Sequence, residues 1–201
     1  MRNFSENYSL VRILHAVVEG DVVDVHLNGS PFANNVRFTE FTPYIYVPKG
    51  KYTVEVFQRD EKENPIIKGV IDITSCELMT IAISGENDKN IEIIPIEEEM
   101  TIPEGNKSKA RFIYLVPNGR PIDIVLDEQT VLENVVYKDI TPYMDIDPKT
   151  YQVDVLLNEN SQLIRQIRVT INPGRVYSFY ALGNKPNFQI FQSLDGATCM
   201  K

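Results

Sequence analysis

Phe41-Thr42-Pro43-Tyr44 returns later in the chain as Ile140-Thr141-Pro142-Tyr143. The two threonines are 99 residues apart (141 − 42) in a chain of 201 residues. At that offset Arg12–Phe57 aligns with Arg111–Leu156 without a gap. Arg12/Arg111, Val17/Val116, Gly20/Gly119, Asp24/Asp123, Leu27/Leu126, Asn35/Asn134 and Tyr52/Tyr151 all coincide. The chain is therefore a tandem repeat of one unit of roughly 90 residues, longer than a solenoid repeat and the size of a small domain.

Within each copy the pattern is that of short strands. Val23, Val25 and Leu27 alternate with Asp24, His26 and Asn28, as Ile122, Ile124 and Leu126 alternate with their neighbours; a two-residue period marks a strand with one buried face. Asn28-Gly29 is a tight-turn dipeptide that predicts a hairpin. Pro43 has no N–H and keeps Thr42 out of the helical region, so it belongs at a strand start or edge. Tyr52, Val54 and Val56 repeat as Tyr151, Val153 and Val155, with both tyrosines expected in the core and their hydroxyls paired. No capped helical stripe occurs. The expected fold is all-β: two tandem immunoglobulin-like β-sandwich domains of about seven strands each. The expected divisions are an N-terminal segment 1–9, a first sandwich 10–96, an exposed linker 97–109, a second sandwich 110–194 and a tail 195–201.

Twenty Lys and Arg against 28 Asp and Glu leave a net charge of −8. That balance argues against a nucleic-acid binder or a protein docked on an anionic membrane. Cys76 and Cys199 are not repeated and form no framework, two histidines without a CxxC argue against a zinc site, and no cofactor is expected. Met1–Ser9 is polar and reads as no signal peptide, and no stretch is apolar enough to insert in a membrane. The compartment is left open: cytoplasmic for the chain as written, or associated with the cell or spore surface.

Val11-Arg12-Ile13-Leu14-His15-Ala16, Val23-Asp24-Val25-His26-Leu27-Asn28-Gly29, Thr42-Pro43-Tyr44 and Pro48-Lys49-Gly50-Lys51-Tyr52 together resemble the DUF4397 family. The second copy departs from the pattern, with Tyr114-Leu115 for His-Ala, Asp127-Glu128 for Asn-Gly and Pro148-Lys149-Thr150 for the glycine turn. The resemblance implies a β-sandwich of bacterial, often envelope-associated proteins, and no established reaction.

Candidate chemistry is sparse. Arg12 and Asp24 recur as Arg111 and Asp123, and an arginine–carboxylate pair between neighbouring strands is the expected arrangement, for register or for ligand recognition. His15 is a candidate base or ligand, although Tyr114 replaces it in the second copy. Asp127, Asp139, Asp145 and Asp147 are candidates for a weak cation site. Tyr46 and Phe57 are expected to be exposed and available for contact. No nucleophile elbow, phosphate loop or dinucleotide fingerprint is present. The expected function is a non-enzymatic interaction or structural module for a protein or glycan partner, associated with the bacterial envelope or spore. The alternatives are a metal- or small-ligand-binding protein or hydrolase using His15 and Asp24, and a cytosolic scaffold.

Overall fold

The computed structural model describes residues 7–61, 63–74, 78–86, 89–185 and 187–196. Cys76, Cys199 and Met1–Glu6 lie outside them. The chain divides between Met100 and Thr101 into two compact units, each a sandwich of two four-stranded sheets. The first comprises β1 (Tyr8–Val18), β2 (Val23–Leu27), β3 (Ser30–Val36), β4 (Ile45–Pro48), β5 (Gly50–Gln58), β6 (Ile67–Ile73), β7 (Leu78–Glu86) and β8 (Lys89–Glu97). The second repeats them as β9 (Ser108–Leu115), β10 (Ile122–Leu126), β11 (Gln129–Val135), β12 (Met144–Ile146), β13 (Thr150–Leu157), β14 (Leu163–Thr170), β15 (Val176–Leu182) and β16 (Gln189–Leu194). Among the described residues each unit has eight strands, close to the expected count of about seven.

One sheet of the first unit runs β4-β1-β7-β8 and the other β3-β2-β5-β6; the second unit has the same orders, β12-β9-β15-β16 and β11-β10-β13-β14. In each, the first strand pairs in parallel with the seventh, Arg12 opposite Thr80 and Arg111 opposite Ser178. The alternating residues Val23, Val25, Leu27, Val54 and Val56 face inward and pack on Val11, Ile13, Met79, Ile81 and Ile83. From Ser9 onward β1 is buried on both faces, which explains why its sequence is a continuous apolar run rather than an alternation.

The Thr-Pro-Tyr stretch explains the edge of that first sheet. β4 pairs with β1 from Tyr8↔Pro48 to Val11↔Ile45. Thr42 then holds Ile13 twice: its N–H donates to the Ile13 carbonyl (2.9 Å), and its hydroxyl accepts the Ile13 N–H (2.9 Å). Thr141 holds Phe112 the same way, at 3.0 and 2.9 Å. Pro43 interrupts the edge between Thr42 and β4, and Tyr44 turns onto the outward face of β1.

The repeated Asp24 and Asn35 belong to a bulge between β2 and β3, where the register shifts. Asn35 has φ +57° and its N–H donates to Asp24 Oδ1 (2.7 Å); Asn134 (φ +54°) and Asp123 match, at 2.8 Å. Asn and Asp tolerate this left-handed conformation and satisfy nearby backbone groups. Tyr52 and Tyr151 donate to the carbonyls of Pro48 (2.8 Å) and Asp147 (3.0 Å), so their hydroxyls are paired as the sequence predicts.

The Asn28-Gly29 hairpin is present, with φ of +50° and +75°. Its counterpart Asp127-Glu128 adopts +45° and +70°, and Asp127 accepts the Gln152 N–H as Asn28 accepts that of Thr53. Glu128 thus occupies a conformation that favours glycine. Glu128→Gly is expected to stabilise the second sandwich by about 1 kcal/mol, read as a higher urea midpoint at unchanged slope, and Gly29→Glu to lower the first by a similar amount.

Candidate functional site

The expected Arg12–Asp24 and Arg111–Asp123 pairs do not form. β1 and β2 belong to different sheets of the sandwich, and Asp24 lies on the outward side of β2 while Arg12 lies on the covered face of β1 that is turned away from β2. Arg12, only 5% exposed, instead meets Glu98, a residue of the stretch read as exposed linker. Its guanidinium lies 3.2 Å from a Glu98 oxygen whose side chain is fully buried. Arg12 Nε donates to Thr80 Oγ1 (2.7 Å), Thr80 donates to Glu98 Oε1 (2.6 Å) and Tyr44 donates to Glu98 Oε2 (2.6 Å). The rings of Phe41 and Tyr44 stack on the guanidinium at 4.5 and 4.6 Å.

The second unit builds the same network with shorter side chains. Arg111 Nε donates to Ser178 Oγ (2.8 Å), Ser178 to Asp195 Oδ2 (2.7 Å), and Tyr143 donates to the same Asp195 oxygen while stacking on Arg111 at 4.3 Å. Asp195, in the stretch read as a tail, is fully buried and stands 3.8 Å from the guanidinium. Burial first, and then the Asp195 charge, push the Tyr143 hydroxyl far above the ordinary phenol range. A buried ion pair contributes little net stability but is costly to break. These arginines are structural anchors: Thr80 and Glu98 hold the first, Ser178 and Asp195 the second. Neither Glu98 nor Asp195 was singled out in the sequence. Their separation is 97 residues (195 − 98), so the 99-residue offset misses them; the only legible signal is an acid just after the last strand of each copy.

His15 is likewise committed. It is fully buried; Nε2 bonds the Asp21 carbonyl (2.8 Å) and Nδ1 accepts the Val17 N–H (3.2 Å), an arrangement that requires the neutral ring. Tyr114 makes the equivalent tether, donating to the Arg120 carbonyl (3.2 Å). Histidine and tyrosine are thus two solutions to one task, fastening the turn between the first two strands. The ring also explains the repeated glycine: a Cβ on Gly20 would meet His15 Cε1 at 3.1 Å, and one on Gly119 would meet the Tyr114 hydroxyl at 2.2 Å. His15 and Asp24 do not converge, so the pairing of the two in a hydrolytic or metal site is corrected by geometry.

The remaining candidates separate. Phe57 is 5% exposed, packed beside the His26 ring at 4.8 Å; the expectation of exposure fails because Phe57 sits opposite Asp24 in the register, next to His26. Tyr46 is 57% exposed, on the same face as Tyr8 at 40%. Asp127 is held by Lys149 and Asp147 by Lys107, both carboxyls lowered by those hydrogen bonds, while Asp139 caps the Val136 N–H. Among the described residues no three His, Cys, Asp or Glu side chains gather as a metal site.

Among the described residues, an open seam of about 470 Å³ lies between the edge strands β6 and β8 of the first unit. Ile67, Ile71, Ile91 and Ile93 floor it, and Asp72, Glu92 and Glu97 supply charge of one sign. Two residues keep it open. Gly69 projects nothing toward Ile93, whose Cδ1 would lie 3.0 Å from an added Cβ, and Pro95 gives the edge strand no N–H at its position. The second unit has Ile167 and Gln192 in the corresponding strands, with no acid at the matching positions.

Two outcomes test these assignments. Glu98→Ala is expected to destabilise the first sandwich by about 3–5 kcal/mol by stranding a buried guanidinium, and Arg12→Met with Glu98→Leu to recover most of that loss, both read by urea unfolding. Burial lowers the His15 pKa below its ordinary value, so the unfolded chain takes up the proton first. Stability contributed by the neutral ring is complete above about pH 6.5 and declines as pH falls toward the folded pKa; His15→Gln is expected to flatten that part of the profile.

Comparison with curated protein sequences gives no significant match. Among solved structures, the family 26 carbohydrate-binding module CBMbc of Eubacterium rectale Amy13K, in complex with maltoheptaose, superposes with a TM-score of 0.30 and 8% identity, covering 95% of this chain and 99% of that one. Family 41 carbohydrate-binding modules from streptococcal virulence factors, which recognise α-glucan, give 0.31 and 9%, covering 91% and 96%. Likeness this loose carries no weight for what the present chain binds. The sequence match is of another order: residues 9–118 and 108–198 each match the domain of unknown function DUF4397. The two matches span nearly the whole sequence, and the chain belongs to the DUF4397 family, carrying its domain twice.

Proposed function

We propose that the protein is a non-enzymatic interaction module of the bacterial envelope or spore surface, and that the seam between β6 and β8 is its principal contact surface. The observation that carries this reading is the contrast between the seam and the repeated polar residues. Arg12, Arg111, Asp24, Asp123 and His15 all hold strands and turns, whereas the seam is an open cleft with an isoleucine floor and acidic residues along it. Its partner is an extended protein segment bearing aliphatic and basic residues. Aliphatic side chains fit the isoleucine floor, Lys or Arg complements Asp72, Glu92 and Glu97, and the edge strands offer backbone groups for strand addition.

A glycan is the second reading, favoured by the exposed Tyr46 and Tyr8 rings on the outward face of β4 and β1. An exported module is expected to be cleaved when intact cells or spores are treated with protease, and protection until lysis would leave a cytosolic scaffold.

Gly69→Ile places in the seam the residue that the second copy carries, so folding is expected to survive. Binding of extended Lys/Arg-rich peptides, screened on an array and measured by fluorescence anisotropy, is expected to fall at least about tenfold, the equivalent of 1.4 kcal/mol. Unchanged affinity in this variant, or binding of oligosaccharides with shifts at Tyr46 and Tyr8, would overturn the seam as the contact surface.

A further inference from the structure

The two sandwiches differ at the end where the first two strands turn. In the first unit, His15, Gln58, Ile66 and Ile91 leave a void of only about 10 Å³. In the second, the same end opens into a pocket of about 200 Å³. Aligned positions show how. Gln58 donates its side-chain amide to the Asp21 carboxylate across the mouth of the first. At the 99-residue offset these two residues become Leu157 and Arg120, which cannot make that bond. Leu157 retreats into the wall, and Arg120 pairs outward with Glu159 at 2.6 Å.

The resulting pocket is chemically sorted. Its walls are Val116, Leu157 and Ile164, with the Tyr114 and Phe188 rings set edge to face, centroids 6.1 Å apart. The Tyr114 hydroxyl is turned to the Arg120 carbonyl, and burial raises its pKa to about 12, so no negative charge develops there near neutral pH. The rim carries two cations, Arg120 and Lys185, with the amide of Gln162. Glu159 is the acid facing Arg120; both are about half exposed, at 57% and 46%, and such a surface pair is weak enough to yield to a competing anion.

We propose that the second sandwich binds a small aromatic carboxylate here, its ring against Tyr114 and Phe188 and its carboxylate at Arg120 and Lys185. An apolar concavity with a few convergent polar groups is the usual form of a small-molecule site, and the rim selects the charge. The site is independent of the seam in the first unit.

The test is a titration of the full, isotope-labelled chain with phenylacetate, followed by amide shifts. Saturable shifts confined to Gly119, Arg120, Gln162 and Phe188 are expected. Phenylethanol, which keeps the ring without the charge, and acetate, which keeps the charge without the ring, are each expected to bind at least about tenfold more weakly. Arg120→Asp with Leu157→Gln rebuilds the closure of the first unit and is expected to abolish the response while thermal unfolding stays cooperative. Absence of saturation at about 10 mM phenylacetate, shifts centred on the first unit, or equal binding of phenylethanol would each overturn the proposal; these are read on the unmodified chain, so they hold even if the double variant fails to fold.

Discussion

A guanidinium buried on the central strand of a sheet is the constraint around which each unit is arranged. Desolvating it demands a counter-charge, hydrogen-bond acceptors for its fork and a cover that excludes water. Each unit draws the groups around its guanidinium from separate places in its sequence. The seventh strand gives Thr80 or Ser178, the residue following the eighth gives Glu98 or Asp195, and the Thr-Pro-Tyr stretch gives the stacked tyrosine. Edge, centre and closing hairpin of one sheet therefore converge on a single group. The other sheet is organised by ordinary alternation, with the Asp24–Asn35 bulge setting its register.

The two copies show how much latitude this arrangement allows. Glu98 becomes Asp195, Thr80 becomes Ser178 and Phe41 becomes Ile140, each change shortening a side chain or removing a ring. The second guanidinium accordingly stands farther from its carboxylate, 3.8 against 3.2 Å. His15 and Tyr114 differ in size and chemistry yet fasten the same turn, and the price is paid in space: a ring that reaches farther, a glycine kept bare beside it and a more open end.

Much of the fold was legible in the sequence because period-two alternation, the Asn28-Gly29 turn and the exact recurrence of Thr-Pro-Tyr are local signals. The Arg12 partner was not, because Asp24 is near in sequence and Glu98 is not. A short separation invites pairing across neighbouring strands, but here the chain crosses to the opposite sheet after β1, and only a parallel return 68 residues later (80 − 12) brings the true partners alongside. Phe57 misled for a similar reason: parity places it on an outward face, and the neighbouring His26 covers it. The seam and the second-unit pocket arise from what residues lack, a side chain at Gly69 and a polar amide at Leu157, and absences of this kind acquire meaning only once the surrounding walls are in place.

The parallel pairing of β1 with β7 also sets the order in which the protein can be made. Within the unit the central strand β1 is synthesised before any other, and β7 and β8 are synthesised last. Until Glu98 has emerged, Arg12 has no counter-ion and the apolar face of β1 has no neighbour on that side. The hairpins β2–β3 and β5–β6 can form early from local contacts, but the sandwich closes only when its final residues arrive, a late, non-local step of the kind that slows folding. Each domain is thus synthesised nearly whole before it can become compact, and the nascent first domain spends most of its elongation with its core strand uncovered.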